Sequence, residues 1–228
     1  MSKSVAILTR AYNRLEYTIR TINSVKENTK HSNYKHIIVD NGSTDGTREW
    51  LAWIQKLQSP WFENVVPFLN PENSGDWGGM VVGAKKLAKK FDYIVQLDND
   101  ISVSPGWLSA LIETLEATNV DSVMLKRSGV KNSIKTSNKR QIKISENRSI
   151  SVVDVPFVVA CYITKSSFFF KVCDKIIRCR DFGKLLKKRC SKITNINCYH
   201  IDGWEPKKKT YIQHKKYPKS KMTWEKFS

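Results

Sequence analysis

"IVQLDNDIS", residues 94–102, is the stretch on which the fold turns. An apolar run that reads as a buried β-strand ends in Asp98, Asn99 and Asp100, then becomes apolar again. Two carboxylates one residue apart at the mouth of a strand repel each other. A divalent cation with hard oxygen ligands is the simplest partner for them. Alone, such a D-x-D is weak evidence, because a solvated turn also uses Asp and Asn for their backbone hydrogen bonds. Its meaning comes from the sequence around it.

Upstream, strand-like and helix-like patterns alternate. "SVAILT" (4–9) is a short apolar strand, and Leu15, Ile19, Ile22 and Val25 then recur at helical spacing. "HIIVD" (36–40) is a second strand, closed by the turn-rich "NGSTDGT". Trp50, Leu51, Ile54 and Leu57 mark a helix, "NVVPFLN" (64–70) a third strand, and Met80, Ala84, Leu87, Ala88 and Phe91 another helix. "YIVQLD" (93–98) is the fourth strand. A helix starting at Ser104 or Pro105 turns Trp107, Leu108, Leu111, Ile112 and Leu115 inward, and "DSVMLK" (121–126) is a fifth strand. This order predicts an α/β fold with a parallel sheet covered on both faces. Ligands of such sheets bind beyond the carboxyl ends of the strands. Asp40, the loop from Asn73 to Gly79, and Asp98 to Asp100 all fall there.

Residues 127–150 are rich in Lys, Ser, Asn and Arg and read as a flexible loop or irregular hairpin. "VVDVPFVVACYIT" (152–164) is β-rich again, and the basic end from Lys207 onward, with interleaved aromatics, reads as a peripheral helix or tail.

The chain of 228 residues suffices for one substantial core. The reading is one domain, 1–228, with a first half at 1–126 and a second at 127–228. No stretch approaches the ~18 apolar residues of a membrane span, and the first residues lack the pattern of a secretory signal. Five cysteines without a C-x-x-C pair fit reduced thiols and a cytoplasmic location, possible contact with a membrane surface aside, and their spacing supports no zinc site. The net charge of +18 is one-sided: residues 1–119 carry 13 Lys/Arg and 13 Asp/Glu, residues 120–228 carry 26 and 8. Either the second half is a lysine-rich solvated surface, or it faces an anion such as a phosphate, an acidic glycan or a membrane.

Two further motifs flank the D-x-D. In "VDNGSTDGT" (39–47) Asp40 ends a strand and is expected to reach a ligand, whereas Ser43, Thr44 and Asp45 read as an ordinary turn and helix cap. "NPENSGDWGG" (70–79) sets three glycines at a helix start, a loop that lets backbone approach a nucleotide or phosphate. Neither a P-loop nor a dinucleotide fingerprint is present.

In this order and spacing, "LTRAYNR", "VDNGSTDGT", "NPENSGDWGGMVVGAKKL" and "YIVQLDND" resemble glycosyltransferase family 2, of the GT-A fold, over about residues 4–126. The resemblance implies a GT-A Rossmann-like, mostly parallel sheet with a less regular acceptor-side half. It implies a nucleotide-sugar donor, most often a UDP-sugar, a Mn or Mg ion at the D-x-D, and transfer with inversion to a glycan, lipid-linked or other hydroxyl acceptor. Thr9, Ala11, Tyr12, Asn13 and Arg14 would line the base pocket, and Asp40 would bind uracil or ribose. Asn73, Gly75 and Asp76 would belong to the donor loop. Asp98 and Asn99 would face the donor, Asp98 at the ribose or beside the metal, and Asp100 would be the direct metal ligand.

The second half departs from the family pattern, which has an E-D pair and then a histidine some twenty residues later. Here "CRDFGKLLKKRCSKITNINCYHIDGW" (179–204) reads R-D. Asp181 is the matching catalytic base and His200 the matching metal-side histidine. Asp154 is the second candidate base, Asp174 the third, and His214 the rival histidine. Asp181 could equally be a surface partner of Arg178 or Arg180. Two other readings stay open: a basic nucleic-acid-binding protein, opposed by the neutral first half and its carboxylate rim, and a transferase-like module that binds without catalysis.

Overall fold

The computed structural model describes residues 2–57, 59–128, 134, 136–176, 181–182, 185 and 190–201, with the side chain of Asp76 left out. His214 and the basic end from 202 onward, on which a membrane contact was expected, lie outside the described residues.

The first half follows the sequence pattern. Strand β1 (Val5–Ala11) leads to α1 (Leu15–Asn28), β2 (Tyr34–Asn41), α2 (Thr47–Leu57), β3 (Val65–Asn70), α3 (Gly75–Gly83), β4 (Tyr93–Leu97), β5 (Ile101–Val103), α4 (Trp107–Ala117) and β6 (Ser122–Ser128). Helix α3 runs on into a π-helical turn, Ala84–Ala88. The second half contributes β7 (Ser137–Ser145), β8 (Arg148–Val155), β9 (Cys161–Lys165), α5 (Ser166–Val172) and β10 (Cys190–His200). The basic stretch is therefore a hairpin, β7 with β8. The apolar run expected over 152–164 is two strands. Pro156 cannot donate to a ladder, and Ala160 adopts φ 63°, where an L-residue is strained by about 1–2 kcal/mol.

All strands join one sheet in the order β3-β2-β1-β4-β9-β6-β10-β8-β7, with β5 paired to β10. β1 to β4, β6 and β10 run the same way, and β9 is inserted antiparallel between β4 and β6. The chain starts at β1, moves outward through β2 and β3, and returns to β4 on the other side of β1. That reversal opens a crevice above β1 and β4.

Each strand of this centre is buried on both faces, so it reads as an apolar run. One face packs Val5, Ile7, Val95 and Leu97 under Trp107 and Leu111 of α4, with Ile38 and Ala11 under α1 and α2. The other packs Ala6, Leu8, Val39 and Ile94 under α3 and α5. Helix α3 lies unusually close to β2. A Cβ on Gly83 would stand 2.3 Å from Val39 Cγ2, and one on Gly79 2.7 Å from Asn41 Oδ1. Those glycines set the depth at which the loop from Asn73 to Gly79 sits. The four described cysteines are buried free thiols.

Candidate active site

The loop after β1 is built for rigidity. Asn13 and Arg14 are consecutive residues at φ 58° and 63°. The loop after β2 holds that strained turn in place. Asn13 N–H donates to Ser43 Oγ (2.8 Å), Thr44 N–H donates to Asn13 Oδ1 (2.8 Å), and Asp45 Oδ2 accepts from Leu15 N–H (3.1 Å). Asp45 also accepts from Thr47 at the start of α2, so one carboxylate caps two helices. The turn-and-cap reading of 43–45 holds, and the cap reaches further than the sequence suggested.

The strained turn points Arg14 across the crevice to Asp100, Nη1 to Oδ2 at 3.0 Å. From the other side His200 Nε2 meets the same oxygen at 3.2 Å. Strand pairing brings His200 there: β10 runs antiparallel to β5 with His200 opposite Ile101, and Ile201 N–H donates to the Asp100 carbonyl. Burial alone would raise the Asp100 pKa, but the hydrogen bond and charge of His200 and the Arg14 guanidinium outweigh it and hold the carboxyl below its ordinary value.

A turn carries the chain from Asp98 to Ile101, with Ile101 N–H donating to the Asp98 carbonyl (3.3 Å). The Asp98 carboxylate acts on the buried thiols of Cys161 and Cys198. Among the described residues no three His, Cys, Asp or Glu side chains cluster as metal ligands. Of the expected trio of Asp98, Asp100 and His200, the structure brings Asp100 and His200 into direct contact. Asn99 donates to Thr18 Oγ1 on α1 (3.3 Å).

Several expected donor contacts turn inward. Thr9 is fully buried with its hydroxyl on His36 Nε2 (2.8 Å), and Ala11 packs in the core under α1. Asp40 is also fully buried, accepting from Ser43 N–H and Arg48 Nη1 (2.9 Å) while Arg48 also holds the Asn70 carbonyl. Here Asp40 locks the βα turn, where a ligand contact was expected. Tyr12, 41% exposed, presents an open aromatic ring at this rim, as does Tyr199, 45% exposed, beside His200.

The donor loop hangs on Asn41, a residue that sequence reading passed over. Its amide donates to Asn73 Oδ1 and the Gly75 carbonyl, and its oxygen accepts from Asn70 and Ser74. Gly75, at φ 80°, faces open space, whereas Gly78 and Gly79 abut Ser74 and Asn41. So one of the three glycines lies open to a ligand, and the other two serve packing.

Trp77, within that loop, ties the two halves together. Its indole N–H donates to the Cys173 carbonyl, and its ring stacks on Phe182 at 5.6 Å. Phe182 also stacks on Tyr162 of β9 at 5.3 Å. Tyr162 adjoins Cys161, which pairs with Leu97 next to Asp98. Asp181, half-buried, precedes Phe182 of this aromatic cluster in the chain. Asp154 is elsewhere. It pairs with Ser191 near the start of β10, while His200 ends that strand. With β6 as a ruler, Val123 lies three residues below Lys126, the level of Asp98, which at ~3.3 Å per residue puts Asp154 roughly 10 Å below that level. Asp154 accepts from Arg140, Asn138 and Ser191. Asp174 forms a surface ion pair with Lys85.

The family model for "Glycosyl transferase family 2" matches residues 6–177, which stops short of Asp181 and His200. Glycosyltransferase AglE of Haloferax volcanii is 29% identical over 120 residues, 52% of this chain and 38% of that protein. The putative teichuronic acid biosynthesis glycosyltransferase TuaG of Bacillus subtilis is 33% identical over 98 residues, 42% and 35%. The chain thus spans well under half the length of these relatives. In structure it is similar to GalNAc-T7 solved with UDP, GalNAc and Mn2+, at TM-score 0.69 and 14% identity over 89% of this chain and 45% of the other. It is also similar to S. aureus TarS solved with UDP-GlcNAc, at TM-score 0.62 and 16% identity over 88% and 61%. These two likenesses bear on the fold alone.

Proposed function

The chain belongs to glycosyl transferase family 2, and from that premise we propose that it transfers a sugar, with inversion, from a UDP-sugar to a hydroxyl acceptor with the help of a divalent ion. The observation behind this reading is the meeting of Arg14, Asp100 and His200 over the β1–β4 crevice. A carboxylate oxygen and an imidazole nitrogen side by side are a donor set that suits Mn2+, and the donor diphosphate would complete it. Bound there, the ion would neutralise the charge that develops on the departing diphosphate.

The protein's own groups would do the rest. Arg14 faces the diphosphate as a second cation once Asp100 turns to the ion. Tyr12 offers its ring to the base, and the open space at Gly75 admits the donor to the loop. Asp181 takes the acceptor hydroxyl's proton as that oxygen attacks the anomeric carbon and the bond to the diphosphate breaks on the opposite side. The Phe182 stack fixes where Asp181 stands. Residues 1–126 form the donor half and 127–228 the acceptor half of one catalytic domain.

The test is turnover of a panel of nucleotide sugars with Mn2+ or with EDTA, and calorimetry of UDP binding. Wild type should turn over a UDP-sugar only with metal, and Asp100→Ala should lose that turnover with the fold intact, because rim residues carry little packing. Turnover equal with EDTA, or undiminished in Asp100→Ala, would sink the proposal.

A further inference from the structure

Two lysines stand where the sheet should be apolar. Across the face that carries Phe182, one row of neighbours runs Gln96, Tyr162, Met124, Lys192 and Val153 on β4, β9, β6, β10 and β8. Met124, Tyr162 and Val153 belong to the apolar core. Lys192 lies among them only 3% exposed. Lys126, half-buried, is two residues beyond Met124 on the same face of β6. It lies one step nearer the rim, level with Asp98.

Neither lysine forms an ion pair among the described residues. Asp154 on β8 pairs with Arg140 on the opposite face, and Asp174 pairs with Lys85. The charged neighbour that acts on Lys192 is Lys126, a like charge, and burial followed by that repulsion pulls its ammonium pKa down. A buried cation is tolerated when an anion pairs with it. Two cations side by side in a core face, with no ion pair among the described residues, suit an anion brought by a ligand.

We infer that the acceptor carries an anionic group, a phosphate or a carboxylate, which seats between Lys126 and Lys192. The inference rests on the proposed function, in which Asp181 faces the acceptor. Lys126 stands on β6, two strands from β4 and so about 10 Å from the Asp98 rim at ~4.8 Å per strand. That is about the length of two sugar units, so the anion would lie on a part of the acceptor beyond the sugar that reacts.

The test uses the full chain and three probes, inorganic phosphate, glycerol 3-phosphate and glucuronate, with glycerol and glucose as neutral counterparts. Binding is read by calorimetry in wild type, Lys192→Met, Lys126→Gln and, as a control on the exposed surface, Lys143→Gln. Lys192→Met keeps length and packing and removes only the charge, and circular dichroism confirms its fold. The expected result is that the phosphates or glucuronate bind, and which of them binds identifies the anion. The neutral compounds should not bind, Lys192→Met should weaken binding at least tenfold and Lys126→Gln at least threefold, and Lys143→Gln should be as wild type. The inference is overturned if no anion binds wild type, if Lys192→Met weakens binding less than threefold, or if Lys143→Gln weakens it as much. UDP affinity, followed in the same proteins, separates the two ideas. UDP binding without anion binding defeats this inference alone, and absence of UDP binding counts against the donor reading.

Discussion

His36 makes a prediction whose size can be worked from its surroundings. The ring lies between β2 and α1, fully enclosed, with Nε2 on Thr9 Oγ1 and no partner for Nδ1 among the described residues. Burial holds its pKa down to about 3 from the ordinary 6.5. The native state therefore refuses a proton that the unfolded chain accepts below pH 6.5. Where the unfolded state binds more protons, stability rises with pH, so stability is lost as pH falls from 6.5 towards 3. At ~1.4 kcal/mol per pH unit, lowering the pH from 7 to 4 should remove about 3 kcal/mol through this group. The control is Thr9→Val with His36→Leu, which replaces both partners by apolar groups of similar shape and is close to neutral at pH 7. Urea unfolding at pH 7 and pH 4 gives four stabilities. Carboxylate contributions are common to both proteins and cancel in the double difference. Wild type should lose about 3 kcal/mol more than the variant. Equal losses would show that His36 takes its proton in the folded state, and the account of the β1–β2 seam would be wrong.

Two other expectations separate site from scaffold. Asp181→Asn should lower turnover by a factor on the order of 10² to 10⁴ with UDP affinity unchanged, while Asp154→Asn should stay within about threefold of wild type; the reverse pattern in steady-state kinetics would move the base. Gly83→Ala places a Cβ 2.3 Å from Val39 Cγ2 and should cost about 1–3 kcal/mol, part of it recovered by adding Val39→Ala; urea denaturation showing Gly83→Ala at wild-type stability would refute the close packing of α3 on β2.

What the sequence made legible was whatever local pattern dictates. β1, β2, β3 and β4 are buried on both faces and announce themselves as apolar runs, and α1 and α4 repeat their apolar residues at helical spacing. The order of those elements is enough to imply the crevice and to place 12–14 and 98–100 on it. What stayed hidden depends on distant partners. "CSKITNINCYH" has no clean alternation, and it becomes β10 because β5, β6 and β8 supply its ladders. β7 is a nearly all-exposed polar edge strand, held by one neighbour. Asp40 looked like a ligand contact because it ends a strand. Its partner Arg48 comes from the far side of the turn, and a spacing of eight residues has no local signature. Trp77 had a signal that went unread: a large aromatic ring among glycines in "GDWGG" needs something to cover it, and Cys173, Phe169 and Phe182 do so.

The question raised by Asp98-Asn99-Asp100 has a further part to its answer in the protein's own cations. The turn from Asp98 to Ile101 separates the two carboxylates, and Asp100 meets Arg14 and His200. With its pKa held below the ordinary value, Asp100 stays ionised without an ion bound. Under the proposed reaction an arriving cation would find a carboxylate with no proton to lose, at the cost of displacing an arginine. That arginine is then free for the diphosphate that comes with the cation, so the exchange conserves ion pairs. The same logic governs the other side of the rim, where Lys126 and Lys192 stand with no ion pair among the described residues. In both places the chain supplies a cation and leaves the matching anion to a substrate. Affinity for each substrate should therefore fall as salt screens those pairs, more steeply at the half-exposed Arg14 than at Lys192 in its core row.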